Sequence, residues 1–519
     1  MEIDPNDAVH RKQWPQAQPD SMIEASSPPA RFQLAPDLEI SRIVTGLWQV
    51  ADMERGGRIL DADKAAAAMA AYAEDGFDSF DMADHYGSAE IITGRFLDLV
   101  RRGKVAGVAR PTAFTKWCPE PGAMTKAIVR EGIELSLRRM SVERIDLLQL
   151  HWWMYEHPAY IDAMAELAAL RSEGKIGHLG LTNFNTDHLR LLVKQGFPVV
   201  SNQVCFSLLD RRAGEEMTAF CLERGIRLLA YGTLGGGFLS ERWLGAPEPA
   251  MDGIPDWSKM KYKRFIQAIG GWEVLQSILA AAHAVARKHG VSIANVATRW
   301  VLDQPAVAAV IVGARLGERD HREDNLRIFS FAFDAEDRAL IEKALAHSRR
   351  IPGDCGDEYR KPPYLTASGD LSHHIARFPS VYQAEPVPGR PGRQRIDSGS
   401  MWEPIAGYSR AVREGGRVLV SGTTATHGSG TIVCPGDAAA QTVYILDKIA
   451  ASLAALDASL DDVLSTHIYL KDAAQWETVS RVHGRYLGHV RPVNTLVEVS
   501  NLVGGYEVEI EAEAIAAPA

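Results

Sequence analysis

Eight short apolar or β-branched runs recur between residues 38 and 350, each followed by a segment with helical spacing, and this alternation restricts the fold of the 519-residue chain more than any other feature. The runs are IVTGLWQV (43–50), SFDMAD (79–84), TAFTKWC (112–118), DLLQLHW (146–152), HLGLTNF (178–184), VVSNQVCF (199–206), RLLAYGTL (227–234) and VAAVIVGA (307–314). Between them, Val129, Ile133, Leu137 and Met140 fall on one helical face, as do Leu275, Ile278, Leu279 and Ala282. Strand–helix alternation of this kind builds a parallel sheet covered by helices. Eight units over this length close into a (β/α)8 barrel, with an open doubly wound sheet as the alternative. In such a barrel the groups that do chemistry gather at the C-terminal ends of the strands. The stretch Gly235–Gly271, rich in Gly, Trp and Pro, is long enough to form a flap over that end.

Beyond Ser348 the alternation stops. Residues 351–395 are dense in Pro, Gly and turn formers and read as a linker, most clearly from Glu385 to Arg395, with a first part able to pack on the barrel through Tyr359, Tyr364 and Phe378. His373 and His374 are adjacent and lack an acidic or Cys partner at ligand spacing, so no metal is expected. From residue 396 a second pattern begins, with strands at 417–425, 466–472, 494–502 and 506–516 and helices at 437–456 and 474–487, a smaller α+β domain. In its last strand Val508, Ile510, Ala512 and Ala514 alternate with Glu507, Glu509, Glu511 and Glu513, giving one face for packing and one acidic face. Residues 1–37 read as an N-terminal extension.

Composition removes several function classes. With 56 Lys+Arg against 66 Asp+Glu the net charge is −10, which offers no electrostatic footprint for nucleic acid. No apolar run approaches the roughly 18 residues of a membrane span, and the polar N-terminus carries no secretory or mitochondrial address, so a cytoplasmic protein that meets no membrane is expected. Cys118, Cys205, Cys221, Cys355 and Cys434 form no CxxC pair and read as reduced thiols.

The densest chemical cluster is FDMADHYGSAE (80–90), which places Asp81 and Tyr86 at the end of the second run, while the third ends at Lys116 and the fourth at His151. A phenol is a weak acid near neutrality, with a pKa of about 10. A neighbouring ammonium strengthens it, an aspartate holds the ammonium, and a histidine can polarise the same carbonyl oxygen.

These residues, together with TKWCP, LHWW, GLTNF, NQVCFSLLDR, AYGTLGGG and IVGARLGERDHREDN in that order, make residues 38–350 resemble the aldo-keto reductases. The resemblance implies that Tyr86 protonates a carbonyl oxygen while a reduced nicotinamide delivers hydride, that Lys116 lowers the Tyr86 pKa and pairs with Asp81, and that His151 orients the substrate. It assigns Thr182, Asn183 and Gln203 to the nicotinamide carboxamide, Tyr231 to stacking on the ring, and Leu234, Gly235 and Gly236 to the pyrophosphate. No GxGxxG opens a βαβ unit, so the cofactor is expected to lie extended across the barrel mouth. The loop GARLGERDHREDN is about two residues longer than the family's common form, and both Arg315 and Arg319 are candidates for the 2′-phosphate, with Asn325 at the adenine. NADPH is favoured over NADH. Trp48, Trp117 and Trp152 are expected to wall a pocket for an aromatic or flat carbonyl.

The last 120 or so residues resemble a second family, the reactive-intermediate deaminases (Rid, or YjgF), through EPIAGYSRAV, VLVSGTTA, STHIYLKD, RPVNTLVEV and VEIEAEAIA. Members form trimers with clefts between subunits, and the active ones hydrolyse imines and enamines. Tyr408 and Glu511 match cleft positions, but Asn494 stands where the family has the arginine that clamps a substrate carboxylate. Arg491, three residues away on a strand, faces the other side. The expectation is therefore an NADPH-dependent carbonyl reductase joined to a trimerising or ligand-binding module whose deaminase activity is open. The alternative is an NADPH-binding redox sensor with slow turnover whose C-terminal domain binds a metabolite or partner.

Overall fold

The computed structural model describes residues 29–50, 59–360 and 379–517, apart from positions 109, 252, 253, 255, 256, 319 and 429. An antiparallel hairpin, β1 (Arg31–Ala35) and β2 (Leu38–Ser41), comes first. Eight parallel strands follow: β3 (Ile43–Gly46), β4 (Ser79–Asp81), β5 (Thr112–Trp117), β6 (Ile145–His151), β7 (Ile176–Thr182), β8 (Val199–Cys205), β9 (Arg227–Tyr231) and β10 (Val307–Gly313). They pair in chain order, and β10 closes on β3 to complete the barrel. Each strand coincides with one of the eight runs. The runs extend a few residues further because the segments that follow, such as Met82–Asp84, still bond to the next strand, Met82 N to the carbonyl of Phe114 and Asp84 N to that of Lys116.

The hairpin shows that the barrel unit begins before residue 38. Leu34, Leu38 and Ile40 pack against Val44, Phe114, Leu147 and Leu229, so the hairpin stoppers the bottom of the barrel and leaves the opposite end open for chemistry. The segment expected as a flap is a packed structure instead. It carries the helix Trp257–Ile269, whose Tyr262, Phe265, Ile266 and Ile269 are core residues.

The linker expectation is corrected at both ends. Ile351–Arg360 lies across the barrel mouth, with Ile351 in the core and a single turn at Asp357–Tyr359. At the other end β11 (Ala384–Pro386) and β12 (Arg393–Ile396) already belong to the second domain's sheet. Tyr364, Phe378, His373 and His374 lie outside the described residues. That sheet continues with β13 (Ala411–Glu414), β14 (Arg417–Thr424), β15 (Val463–Leu470), β16 (Val493–Glu498) and β17 (Val508–Ile515), in the order β11-β12-β13-β14-β17-β15-β16. Only the β15–β16 pair is parallel.

One face of this sheet, with Val418, Val420, Ile468, Ile510 and Ala512, packs on the helix Ala438–Ala454. Residues Ala438–Leu453 of that helix are buried on every side, because its far side meets the barrel. There Asp447 accepts hydrogen bonds from Tyr160 Oη (2.9 Å), His188 Nε2 (2.9 Å) and Tyr486 Oη (2.7 Å), and His188 stacks on Tyr155 with ring centroids 3.3 Å apart. Cys434 N donates to Gln195 Oε1, and Arg485 pairs with Asp187 and Glu216 around the same contact. The two domains share one apolar core.

Candidate active site

Strand alternation decides which side chains enter the barrel mouth. Asp81 ends β4 and Lys116 precedes the last residue of β5, and both are almost fully buried. Lys116 Nζ donates to Asp81 Oδ2 at 2.5 Å and to the carbonyl of Met82 at 3.0 Å. The other carboxylate oxygen accepts the amide nitrogens of Gln149 (2.9 Å) and Gln203 (2.7 Å), so Asp81 is fixed from both sides. The Lys116 ammonium stands 5.2 Å from the centroid of the Tyr86 ring. His151, at the end of β6, has the Trp153 ring 4.1 Å from its own. The four residues named from the sequence thus converge on one space.

The expected lowering of the Tyr86 pKa is not what the structure shows. Burial and the negative charge of Asp81 push the phenol well above its usual value, while Asp81 neutralises the ammonium meant to oppose them. Tyr86 is held as a protonated phenol.

Two of the three tryptophans are corrected by the same alternation. Trp117 follows Lys116 and therefore points outward, where its indole fills the space over Gly132; a Cβ at that glycine would collide with it. Trp152 follows His151 and also faces out, donating its Nε1–H to the carbonyls of Met154 (2.7 Å) and His157 (2.9 Å). Trp48 stays at the mouth, edge-on to Tyr86 with centroids 4.7 Å apart. The second wall is Trp153, which lies against His151 and 6.3 Å from His85, and Tyr359, edge-on to His151 at 5.8 Å, is the third. The sequence signal for Trp153 was its place two residues beyond His151, on the same side of the chain.

The groups assigned to the cofactor divide in a similar way. The Thr182 hydroxyl donates to the carbonyl of Gln203, and the Gln203 amide nitrogen serves Asp81 and Gln149, so these two brace the acid site. Asn183 sits in the left-handed region at φ +57°, and its Oδ1 accepts the Tyr231 hydroxyl at 2.8 Å. Next to Leu234, Gly235–Gly237 all have positive φ; a Cβ at Gly235 would strike Leu209 and one at Gly236 would strike Tyr262, while Gly237 faces open space. An amide beside an aromatic ring and a glycine cradle at the same rim fit a nicotinamide dinucleotide. Arg315 is exposed, Asn325 lies half-buried in the helix Arg322–Leu326, and Arg319 lies outside the described residues. Arg322 is engaged with Asp320 and Asp75.

In the second domain the three cleft candidates are not brought together within one chain. Asn494 pairs in register with Thr466 and accepts its hydroxyl at 3.2 Å, on the helix-facing side of β15 and β16. Glu511 stands on the opposite face beside Tyr469 and His467, and Tyr408 is exposed after the short helix Trp402–Ala406.

Comparison with known proteins assigns both halves. A model of the aldo/keto reductase family matches residues 42–346, and one described as endoribonuclease L-PSP matches residues 399–516. The chain belongs to the aldo/keto reductase family. Among its relatives, aldo-keto reductase YhdN of Bacillus subtilis (strain 168) is 25% identical over 63% of this chain and 96% of its own length. NADH-specific methylglyoxal reductase of Escherichia coli (strain K12) is 24% identical over 60% of this chain and 97% of its own. The solved structure of Rv2704 of Mycobacterium tuberculosis, of the YjgF/YER057c/UK114 family, is 42% identical, covering 24% of this chain and 99% of that one with a TM-score of 0.22. This aldo-keto reductase is accordingly an NAD(P)H-dependent oxidoreductase acting on carbonyls, followed by a separate Rid-like domain.

Proposed function

We propose that the barrel uses NADPH to reduce a flat or aromatic aldehyde or ketone to the alcohol. The observation that carries this reading is the Asp81–Lys116 pair fixed beneath Tyr86, with His151 at the same opening. The bound cofactor supplies hydride to the carbonyl carbon. Tyr86 gives its proton to the carbonyl oxygen, and it can do so despite its raised pKa because the alkoxide forming there is a far stronger base than a phenolate. His151 holds the same oxygen from the side, oriented by Trp153. Trp48, Trp153 and Tyr359 supply aromatic walls that suit a planar substrate. Exposed Arg315 on the loop after β10 favours NADPH, since a guanidinium forks onto a 2′-phosphate.

For the Rid-like domain we propose assembly and ligand binding in the cytoplasm rather than imine hydrolysis. A neutral amide at Asn494, turned toward Thr466, cannot clamp a carboxylate. The outer sheet face leaves Leu419, Val493, Val497 and Ile515 exposed among Glu509, Glu511 and Glu513, a surface suited to meeting two further copies in a trimer.

The test follows loss of NADPH absorbance against a panel of aldehydes and ketones, comparing wild type with Tyr86→Phe. Turnover by the wild type and a loss of about 10²–10⁴-fold in the variant supports the acid role. If both forms bind NADPH and neither consumes it, the barrel is a sensor and the reductase reading fails. A monomeric mass by light scattering refutes the trimer.

A further inference from the structure

We infer that Ile351–Arg360, which the family match does not reach, is a strap that sets the orientation of Asn183 and Tyr231, with Tyr359 and Arg360 as positioning residues for the cofactor's nicotinamide end. The inference rests on the reading of Asn183 and Tyr231 as the pair that holds that end.

The strap is anchored at several independent points. Asp354 Oδ2 accepts the backbone N–H of Thr186 at 2.7 Å, and Arg212 donates to the carbonyl of Asp354 at 2.7 Å. The same guanidinium pairs with Asp210 (2.6 Å) and with Glu358 (2.9 Å), a carboxylate with no exposed surface. Against the cost of burial, Arg212 and Lys261 hold Glu358 well below the usual carboxylate range. At φ +84° Gly356 lies so close to the carbonyl of Asn183 that any Cβ would collide with it. Arg360 donates to that carbonyl at 2.7 Å and to the carbonyl of Trp152, with its guanidinium 4.3 Å from the centroid of the Tyr155 ring. The strap thereby holds the backbone of Asn183 in the left-handed conformation, which costs a residue with a side chain energy.

Hydrogen-bond polarity carries the argument to the side chain. Lys261, on the helix Trp257–Ile269, sits 2.8 Å from the Tyr359 hydroxyl and 3.6 Å from Glu358. An ammonium can only donate, so the Tyr359 oxygen accepts from it. The Tyr231 hydroxyl has its nearest acceptor in Asn183 Oδ1 at 2.8 Å, with Tyr359 Oη at 3.0 Å and Glu358 Oε1 at 3.4 Å also in reach, and Lys261 Nζ stands 3.5 Å from the Tyr231 oxygen. With the Lys261 ammonium able only to donate to both phenol oxygens, the Tyr231 proton turns to its nearest acceptor, Asn183 Oδ1, and this fixes which end of the Asn183 amide meets Tyr231. Its Nδ2 is left to donate to the carboxamide oxygen of the cofactor.

The test measures binding, by titration calorimetry of the full chain, of NADPH and of 2′-phospho-ADP-ribose, which lacks the nicotinamide. Tyr359→Phe removes the hydroxyl that holds Lys261 beside Tyr231 and keeps the ring; Arg360→Met removes the backbone contacts and keeps the length; Arg360→Lys keeps the charge, as a second variant should the methionine form not fold. Asn183→Ala is the reference. The expected result is an approximately tenfold rise in Kd for NADPH in Tyr359→Phe and in Arg360→Met, an unchanged Kd for the fragment, and no added effect when either is combined with Asn183→Ala. Equal weakening of both ligands marks a merely structural strap and overturns the inference. Wild-type NADPH affinity in the Tyr359 and Arg360 variants, with affinity lost in Asn183→Ala, also overturns it while leaving the cofactor reading intact. Wild-type affinity in Asn183→Ala removes that reading and the strap's role with it.

Discussion

Replacing Asp447 by alanine is the sharpest probe of whether the two domains fold as one body. Its carboxylate accepts three donors, and Tyr160 and His188 are almost completely buried, while Tyr486 is half-buried. Alanine leaves Tyr160 without its acceptor and His188 Nε2 with only the Tyr486 hydroxyl, 3.5 Å away, at about 1–3 kcal/mol each, so the expected loss is roughly 2–6 kcal/mol. Asp447→Asn should cost less. Its remaining oxygen still accepts, and a tyrosine hydroxyl can turn to receive the new N–H, but the His188 ring faces Asn185 Oδ1 with its other nitrogen and has no such freedom. At about 3 °C per kcal/mol, calorimetry should show the alanine form melting roughly 6–18 °C lower, the asparagine form in between, and the C-terminal domain separating as an early transition. Asp461→Ala serves as the control, since Asp461 is 75% exposed where it meets His489 and should shift the midpoint by less than about 2 °C. An alanine variant that melts as the wild type does, within the scatter of the control, would refute the argument.

Other consequences can be checked independently. Because burial and Asp81 raise the Tyr86 pKa, the phenol keeps its proton through neutral and mildly alkaline pH, so carbonyl reduction should show no loss attributable to Tyr86 between about pH 6 and 9. Alcohol oxidation needs the phenolate and should still be rising at about pH 10, the ordinary value of a phenol. A reduction rate that falls with a midpoint below about pH 8, through Tyr86, contradicts this. Trp153→Ala removes the ring against His151 and should raise KM for aromatic carbonyls about tenfold, whereas Trp117→Ala opens a cavity over Gly132, costing about 3–5 kcal/mol of stability while leaving KM unchanged. Steady-state kinetics and thermal melts on both variants separate wall from core.

The barrel is readable because its signal is local: each strand, three to seven residues long, falls on a run whose side chains face either a packed interior or a packed helix, and the catalytic groups lie near the ends of those runs. The same two-residue period turns Trp117 and Trp152, the neighbours of Lys116 and His151, away from the mouth. The Rid-like sheet was visible in Val508–Ala514 for the same local reason. What lay hidden was everything defined by distant pairs. Nothing near Asp447 in the sequence announces Tyr160 or His188, and nothing in GDEYR announces that Glu358 meets Arg212 and Tyr359 meets Lys261. The abundance of Gly and Pro in 351–395 reads as a linker in the sequence. In Ile351–Arg360 the glycine instead allows a backbone to touch a backbone, as Gly356 does at Asn183.

The helix Ala438–Ala454 belongs to both halves of the molecule, one side sealed by the sheet and the other by the barrel. A copy of this domain living alone would have to cover that second side with something else or present water with polar residues there. The fusion is therefore not a reversible tethering of two independent parts. Cutting the chain between the domains would hand water the barrel-facing side of the helix and the barrel surface that covers it.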